Sequence, residues 1–257
     1  MPKFSANLGF LFSEVPMLER FARARAAGFL GVEYPFPYAH PVATLVDLAG
    51  THGLEHVLLN LPCGDFAGGE RGIACQPERR GEFRDGVGQG IEYARALGCT
   101  RLNCLAGPAR GGDPLAFDTF VDNLRFAAAA LGEAGIRLLI EPINGRDMPG
   151  FYLQTSAQAE RVIEAVGSDN LWLQYDVYHM QVMEGDLARG IERCLPRIAH
   201  LQIADNPGRH EPGSGEINYA FLLPYIDRLG YTGWVGCEYV PAVGTEQGLG
   251  WMAPYRR

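Results

Sequence analysis

RLLIEPI, residues 137–143, is a short apolar run that carries an acid near its end. A segment of helical period follows at 155–166, and then LWLQYDV at 171–177, a second apolar run that also closes on an acid. Short runs of β-branched and aliphatic residues, alternating with longer segments of apolar residues three and four apart, read as strand–helix–strand. Two strands joined through a helix lie parallel, with a right-handed crossover. The same unit recurs outward in both directions. Further strands are predicted at 4–10 (FSANLGF), 31–34 (GVEY), 55–61 (EHVLLNL), 101–106 (RLNCLA), 198–204 (IAHLQIA) and 233–239 (GWVGCEY), with clear helical segments at 14–27, 77–97 and 116–134. Gly28, Gly53, Gly98, Gly135 and Gly230 each follow a helical run, where a left-handed residue ends a helix at little cost. Eight units in 257 residues give about 32 residues per unit, so the expected fold is α/β, a (β/α)8 TIM barrel forming a single domain over 1–257. The runner-up is a doubly wound open sheet. Its nucleotide-binding versions lose support, because no GxGxxG follows the first strand and no GxxxxGK[ST] occurs.

Composition excludes several chemistries. Lys+Arg is 22 against 30 Asp+Glu, a formal net charge of −8, which argues against a nucleic-acid partner. No apolar stretch approaches the ~18 residues of a membrane span. The N-terminal MPKFSANLGF has no secretory pattern. Lys3 is the only lysine, a poor candidate for a Schiff base or a pyridoxal-phosphate linkage. Cys63, Cys75, Cys99, Cys104, Cys194 and Cys237 form no CxxC pair, and in a chain without a signal peptide they read as reduced thiols in the cytoplasm.

Acids inside apolar strands are costly, so their recurrence at equivalent places needs a reason. Glu141, Asp176, Gln202 and Glu238 fall near the C-terminal ends of predicted strands five to eight, the face where barrel enzymes hold their active sites. Four oxygen donors converging there suit a hard divalent cation, Mg²⁺ or Mn²⁺. The alternative for each acid is a structural ion pair. Glu141 and Glu238 can also act as an acid/base pair, moving a proton between adjacent carbons of a ketone through a metal-stabilised enediolate. Should the two glutamates suffice, the metal is dispensable. Three carboxylates and one divalent cation leave about −1, so an anionic substrate needs a further cation. Arg209 and His210, in the loop after strand seven, are the first candidates, with a loop ion pair to Glu211 or Glu216 as the bland alternative for Arg209; Arg71, in the long loop 62–76, is the second. His179 reads as a substrate hydrogen-bonding group or a structural rim residue. His56, His200, Glu33 and Asn60 read either as pocket residues or as interior polar groups satisfied by neighbours. His40 and His52 belong with a surface helix, and Trp172 and Trp234 with the barrel wall.

These residues sit in stretches that resemble one family. FSANLGFLF, GVEYPFPY, NLPCGDFAGGERGIAC, EFRDGV with YARALG, LIEPIN, QYDVYHMQ, HLQIADNPGRHEPGSGEINY and GWVGCEY together resemble the hydroxypyruvate isomerase family of the xylose isomerase-like barrels, over nearly the whole chain. The resemblance implies isomerisation of hydroxypyruvate to 2-hydroxy-3-oxopropanoate (tartronate semialdehyde) in glyoxylate-linked carbon metabolism. It implies Glu141 and Glu238 as the proton-transfer pair, the four strand-end residues as the metal position, and a homodimer or tetramer. The N-terminal 29 residues are also similar to 2-oxo-tetronate isomerases, which move a carbonyl in a four-carbon acid. Related ketose 3-epimerases carry a histidine where this chain has Gln202. Two other classes carry less support: a metal-dependent endonuclease needs many histidines and a basic groove, and a non-catalytic barrel is expected to have lost a carboxylate.

Overall fold

The computed structural model describes residues 2–109 and 112–255. Eight strands, β1 (Lys3–Asn7), β2 (Gly31–Glu33), β3 (Glu55–Asn60), β4 (Arg101–Cys104), β5 (Arg137–Ile140), β6 (Leu171–Asp176), β7 (Ile198–Ile203) and β8 (Trp234–Cys237), pair in chain order. Every pairing is parallel, and β1 closes on β8 through the register Lys3–Trp234 to Ala6–Cys237. The closure selects the barrel over the open sheet.

Helices cover the outside: α1 (Arg20–Ala26), α2 (Val42–His52), α3 (Arg80–Leu97), α4 (Pro114–Glu133), α5 (Ser156–Val166), α6 (Val177–Met183), α7 (Leu187–Cys194), α8 (Tyr219–Arg228) and the short α9 (Thr245–Gly248). Their starts follow the local chemistry. Asp113, Thr155 and Asn218 accept from backbone N–H groups of the first turns of α4, α5 and α8, satisfying donors that the helix leaves free. Gly53 and Gly98 end α2 and α3 in the left-handed region. The main apolar core lies between sheet and helices. A second cluster of Val57, Leu58, Leu139, Ala199 and Trp234 packs apart from it, with Trp172 partly buried against its edge.

The strands stop sooner than their apolar runs. β1 ends at Asn7 where 4–10 was predicted, and β5 at Ile140 where 137–143 was predicted. At these points the chain leaves the sheet to build the mouth, so apolar residues beyond the ends pack there without ladder bonds. Two register shifts matter to the interior, one between Val32 and Glu33, the other between Leu173 and Gln174. Each falls immediately before a polar side chain that joins the network at the mouth, as irregularities beside active sites often do.

The long loop 62–76 is strapped to the scaffold. Gly72 bridges Ala106, Cys75 donates to the Ala106 carbonyl, and Asn123 of α4 donates to the Ala74 carbonyl. The two backbones meet at Gly72 and Gly107, both at positive φ (117° and 93°), and a Cβ on Gly107 would stand 2.3 Å from the Gly72 carbonyl oxygen. Gly107→Ala therefore combines backbone strain with a main-chain clash and should cost about 1–3 kcal/mol. Equilibrium urea unfolding checks this, with Gly112→Ala as the control: Gly112 also has positive φ (79°), but a Cβ there meets nothing within 4 Å.

Candidate active site

Glu141 follows β5, Asp176 ends β6, and Glu238 follows β8. One oxygen from each, with a ring nitrogen of His179 at the start of α6, all lie within 4.8 Å of one another, and all four residues are buried. Asp176 has a dual position. Its Oδ1 accepts from the backbone N–H of Tyr178 at 2.8 Å and caps α6. Its Oδ2 is buried and has no hydrogen-bond partner.

Amides orient the two glutamates. Asn103 of β4 donates to Glu141 Oε2 at 3.0 Å, and Asn7 of β1 donates to Glu238 Oε1 at 2.9 Å. Arg209 donates to the other oxygen of Glu238 at 2.6 Å, and its Nη2 stands 3.6 Å from Asp176 Oδ2. Burial and the neighbouring Glu238 and Asp176 charges hold the Glu141 carboxyl well above the usual range. Burial also raises Glu238, against the opposing pull of Arg209. Burial pushes His179 down to about 4, so its ring is neutral.

Gln202 of β7 lies in the same network. Its Nε2 donates to Glu33 Oε1 at 2.9 Å, and its Oε1 accepts from Gln174 at 2.6 Å. Glu33 is fully buried, yet its carboxyl lies below the usual range. Burial raises it, but His200 Nε2 at 2.9 Å, Gln202 and Ser5 outweigh burial. Gly236 makes room for this carboxylate, since a Cβ there would stand 2.3 Å from Glu33 Oε1. Asn60, Tyr34, Glu141, Gln174, Gln202 and Glu238 border a cavity of about 20 Å³, space for one water-sized or ion-sized sphere.

Three predicted substrate residues come to the mouth: His179, Asn60 and Arg209. Arg209 makes neither predicted loop pair. Glu216 instead accepts from Asn206 and Gln181, and Glu211 accepts from the Ala242 N–H. The arginine is drawn inward because three buried carboxylates offer it more than solvated ones do. Its guanidinium lies between the rings of Phe10 (4.7 Å) and Tyr178 (5.2 Å). Burial alone would weaken its hold on its proton, but Glu238, Asp176 and Glu141 more than reverse this. The other two candidates, His56 and Arg71, are not among the clustered groups. His56 packs on Phe21 and Tyr34, an aromatic surrounding outside the carboxylate cluster. Arg71 lies over the Phe66 ring (4.2 Å) and donates to the Phe66 and Glu70 carbonyls, in a rim groove that also contains Asp147. His200 Nε2 stands 2.9 Å from Glu33 Oε2, and Glu33 itself lines the cavity beside Glu141 and Glu238.

Sequence reasoning missed Asn7, Asn103, Asn144 and Gln174. The signal was present, since each is an uncharged amide in or just after an otherwise apolar strand. An amide carries no charge to draw attention, but it satisfies a buried carboxylate cheaply.

The donor set fits a divalent cation. Fully ionised, the three carboxylates carry −3 and Arg209 returns +1, so a charge of +2 would restore neutrality and let the glutamates give up their protons. The donors are hard oxygens, and the orphaned Asp176 Oδ2 lacks a partner that such an ion would supply. Glu141, Asp176 and Glu238, with a ring nitrogen of His179 in reach, are the residues whose placement could hold it. The raised carboxyls also set the pH response of the metal-free protein. The unfolded chain releases these protons near pH 4.5 while the folded state retains them, so stability falls as pH rises above 4.5 toward the folded values. Urea midpoints of EDTA-treated protein should decline over that window, Glu141→Gln should flatten the decline, and added Mn²⁺ should reverse it. A midpoint independent of pH would contradict this electrostatic picture.

Comparison with known proteins agrees with this architecture. The family described as xylose isomerase-like TIM barrel matches residues 21–255. Hydroxypyruvate isomerase of Escherichia coli (strain K12) is 53% identical over 258 residues, all of both chains. A 2-oxo-tetronate isomerase of Cupriavidus necator is 46% identical over 99% of both. A crystal structure from Brucella melitensis, described as an AP endonuclease of family 2, is 46% identical and superposes with a TM-score of 0.97 over all of both chains. No described helix is long and apolar enough to cross a membrane. With full-length identity of this order and a closed parallel barrel, the chain belongs to the xylose isomerase-like TIM barrel family, in its hydroxypyruvate isomerase group, and is an isomerase.

Proposed function

We propose that the protein interconverts hydroxypyruvate and 2-hydroxy-3-oxopropanoate. The observation that carries this reading is a pair of buried glutamates, Glu141 and Glu238, beside a half-buried arginine, Arg209, whose ion pairs among the described residues go to the site's own acids and Asp147. The reaction moves one proton from C3 to C2 and one from the C3 hydroxyl to the C2 oxygen, with no net oxidation. It needs a base, an acid and stabilisation of an enediolate.

The two glutamates have different surroundings, which supports a division of roles. Arg209 at 2.6 Å favours ionised Glu238, whereas burial and two acidic neighbours favour the protonated form of Glu141. Glu238 is the base that takes the C3 proton, and Glu141 the acid that protonates the other carbon. Arg209 binds the substrate carboxylate, for which a guanidinium flanked by aromatic rings is well suited. Asn60 and His179 hydrogen-bond substrate oxygens. Bound Mg²⁺ or Mn²⁺, held by Glu141, Asp176, Gln202 and Glu238, would supply Lewis-acid polarisation of the carbonyl.

The likeness to the Cupriavidus necator protein supports a second reading, a four-carbon 2-oxo-tetronate. The endonuclease description of the Brucella melitensis structure finds less support here, because the chain carries a net −8 and the described cluster contains one histidine.

Turnover of hydroxypyruvate and of 2-oxo-tetronates, followed by NMR in D₂O, tests the proposal. Hydroxypyruvate should give 2-hydroxy-3-oxopropanoate. Glu141→Gln and Glu238→Gln should each lower kcat on the order of 10²–10⁴-fold while keeping the wild-type circular dichroism. A folded Glu238→Gln enzyme of near-normal kcat would remove the acid/base assignment. In the same assay, Arg209→Ala should chiefly raise KM for the anionic substrate.

A further inference from the structure

His179 presents a question that the cluster of acids does not answer. Its ring offers an atom within reach of Glu141, Asp176 and Glu238, so by proximity it counts equally as a cation ligand or a hydrogen-bond donor. A ligand nitrogen must be bare, and a donor nitrogen must carry a proton. The two roles need opposite tautomers.

The neighbour that decides is Asn144, in the segment that follows Glu141 and Pro142. Asn144 is fully buried, and its Nδ2 lies 2.7 Å from His179 Nδ1. An amide can be turned about, so this contact alone does not say which group donates. The other contacts of Asn144 do. Its Oδ1 accepts from the backbone N–H of Arg146 at 3.0 Å and of Asp147 at 2.8 Å. Backbone N–H groups only donate, so the atom facing them is the oxygen. The NH₂ group then faces the Asp147 carboxylate Oδ2 at 3.1 Å with one hydrogen and the His179 ring with the other. Reversing the amide would set two N–H donors against an NH₂ and one carboxylate against an oxygen. Three independent partners therefore fix its orientation, and a donor points at His179 Nδ1.

We infer that Asn144 is a positioning residue that locks His179 as the neutral tautomer with its proton on Nε2, which makes this histidine a donor into the active site and bars it from ligating a cation. A nitrogen that accepts a hydrogen bond carries no proton, so in the neutral ring the proton resides on the other nitrogen. That Nε2 is 3.6 Å from Asp176 Oδ2, beyond hydrogen-bond distance, so its proton is available to a bound molecule. The consequence for cation binding is that the carboxylates of Glu141, Asp176 and Glu238 remain as the clustered ligands without the histidine. The use of the Nε2 proton on an oxygen of the substrate rests on the proposed isomerase reading; the tautomer does not.

The test is a long-range ¹H–¹⁵N correlation spectrum of the full chain labelled at histidine nitrogens, with His179→Gln assigning the signal. In EDTA-treated wild type, His179 should show an unprotonated Nδ1 and a protonated Nε2. The pattern should persist with added Mg²⁺ and with added Zn²⁺, a cation with a stronger preference for imidazole and therefore the stricter trial. Asn144→Asp offers an acceptor in place of the donor, and the Nδ1 signal should move to the protonated position. Asn144→Ala should yield a mixture of tautomers and a kcat lower on the order of 10–100-fold, as for orienting partners elsewhere, with a smaller change in KM. A proton on Nδ1 in wild type, loss of the Nε2 proton on adding either metal, or an unchanged pattern in both Asn144 variants would overturn the inference. If the isomerase reading alone is wrong, the nitrogen pattern stays as predicted while no substrate turns over. If the inference alone is wrong, hydroxypyruvate turns over and the pattern is the opposite one.

Discussion

Three carboxylates packed at the buried mouth of an apolar barrel repel one another, and everything around them answers that repulsion. In water such a cluster would be tolerable; at low dielectric each added charge raises the cost of the next. The structure meets the cost in three ways. Protons stay on the glutamates to higher pH, Arg209 is pulled off its loop surface into contact with Glu238 and Asp176, and amides from β1 and β4 hold the carboxylates by neutral hydrogen bonds. One oxygen, Asp176 Oδ2, is left without a hydrogen-bond partner, in a cluster of acids that could hold a cation.

A second buried acid follows a different rule. Glu33 lies in the same interior, but His200, Ser5, Asn7 and Gln202 surround it, and its carboxyl is held below the usual range. One barrel thus holds one buried carboxyl below the usual range and two others above it. Partners make the difference. Glu33 supports the site indirectly, since its grip on the Gln202 amide nitrogen leaves the Gln202 oxygen turned away from it, toward Gln174.

The neutral histidine adds to this economy. A charged His179 beside Arg209 would add a second cation against the same acids and compete with metal binding. Burial and the Asn144 donor both keep it neutral, and so keep it a donor. Asn144 reaches this position because its own carbonyl is tied to the turn at Arg146 and Asp147, so a local turn sets a ring proton across the mouth.

Strand–helix alternation, the barrel class and the acids at strand ends were legible in the sequence, because period and spacing are local properties and a charge inside an apolar run is conspicuous. Glu141, Asp176 and Glu238 could be read as neighbours once the barrel was assumed, since equivalent strand ends converge on one mouth. Which partner each chose could not be read. Arg209 is four residues from Asp205 and two from Glu211 in sequence, yet it pairs with Glu238, 29 residues away, because the loop after β7 folds over the mouth. His56 lies in a strand as polar residues of the pocket do, but its ring packs on aromatic side chains, since one register shift decides which face a side chain takes. Sequence fixes the periodicities and the inventory of donors and charges. Only the closed barrel decides which of them meet, because hydrogen bonds and charge pairs depend on distances of a few ångströms between residues far apart in the chain.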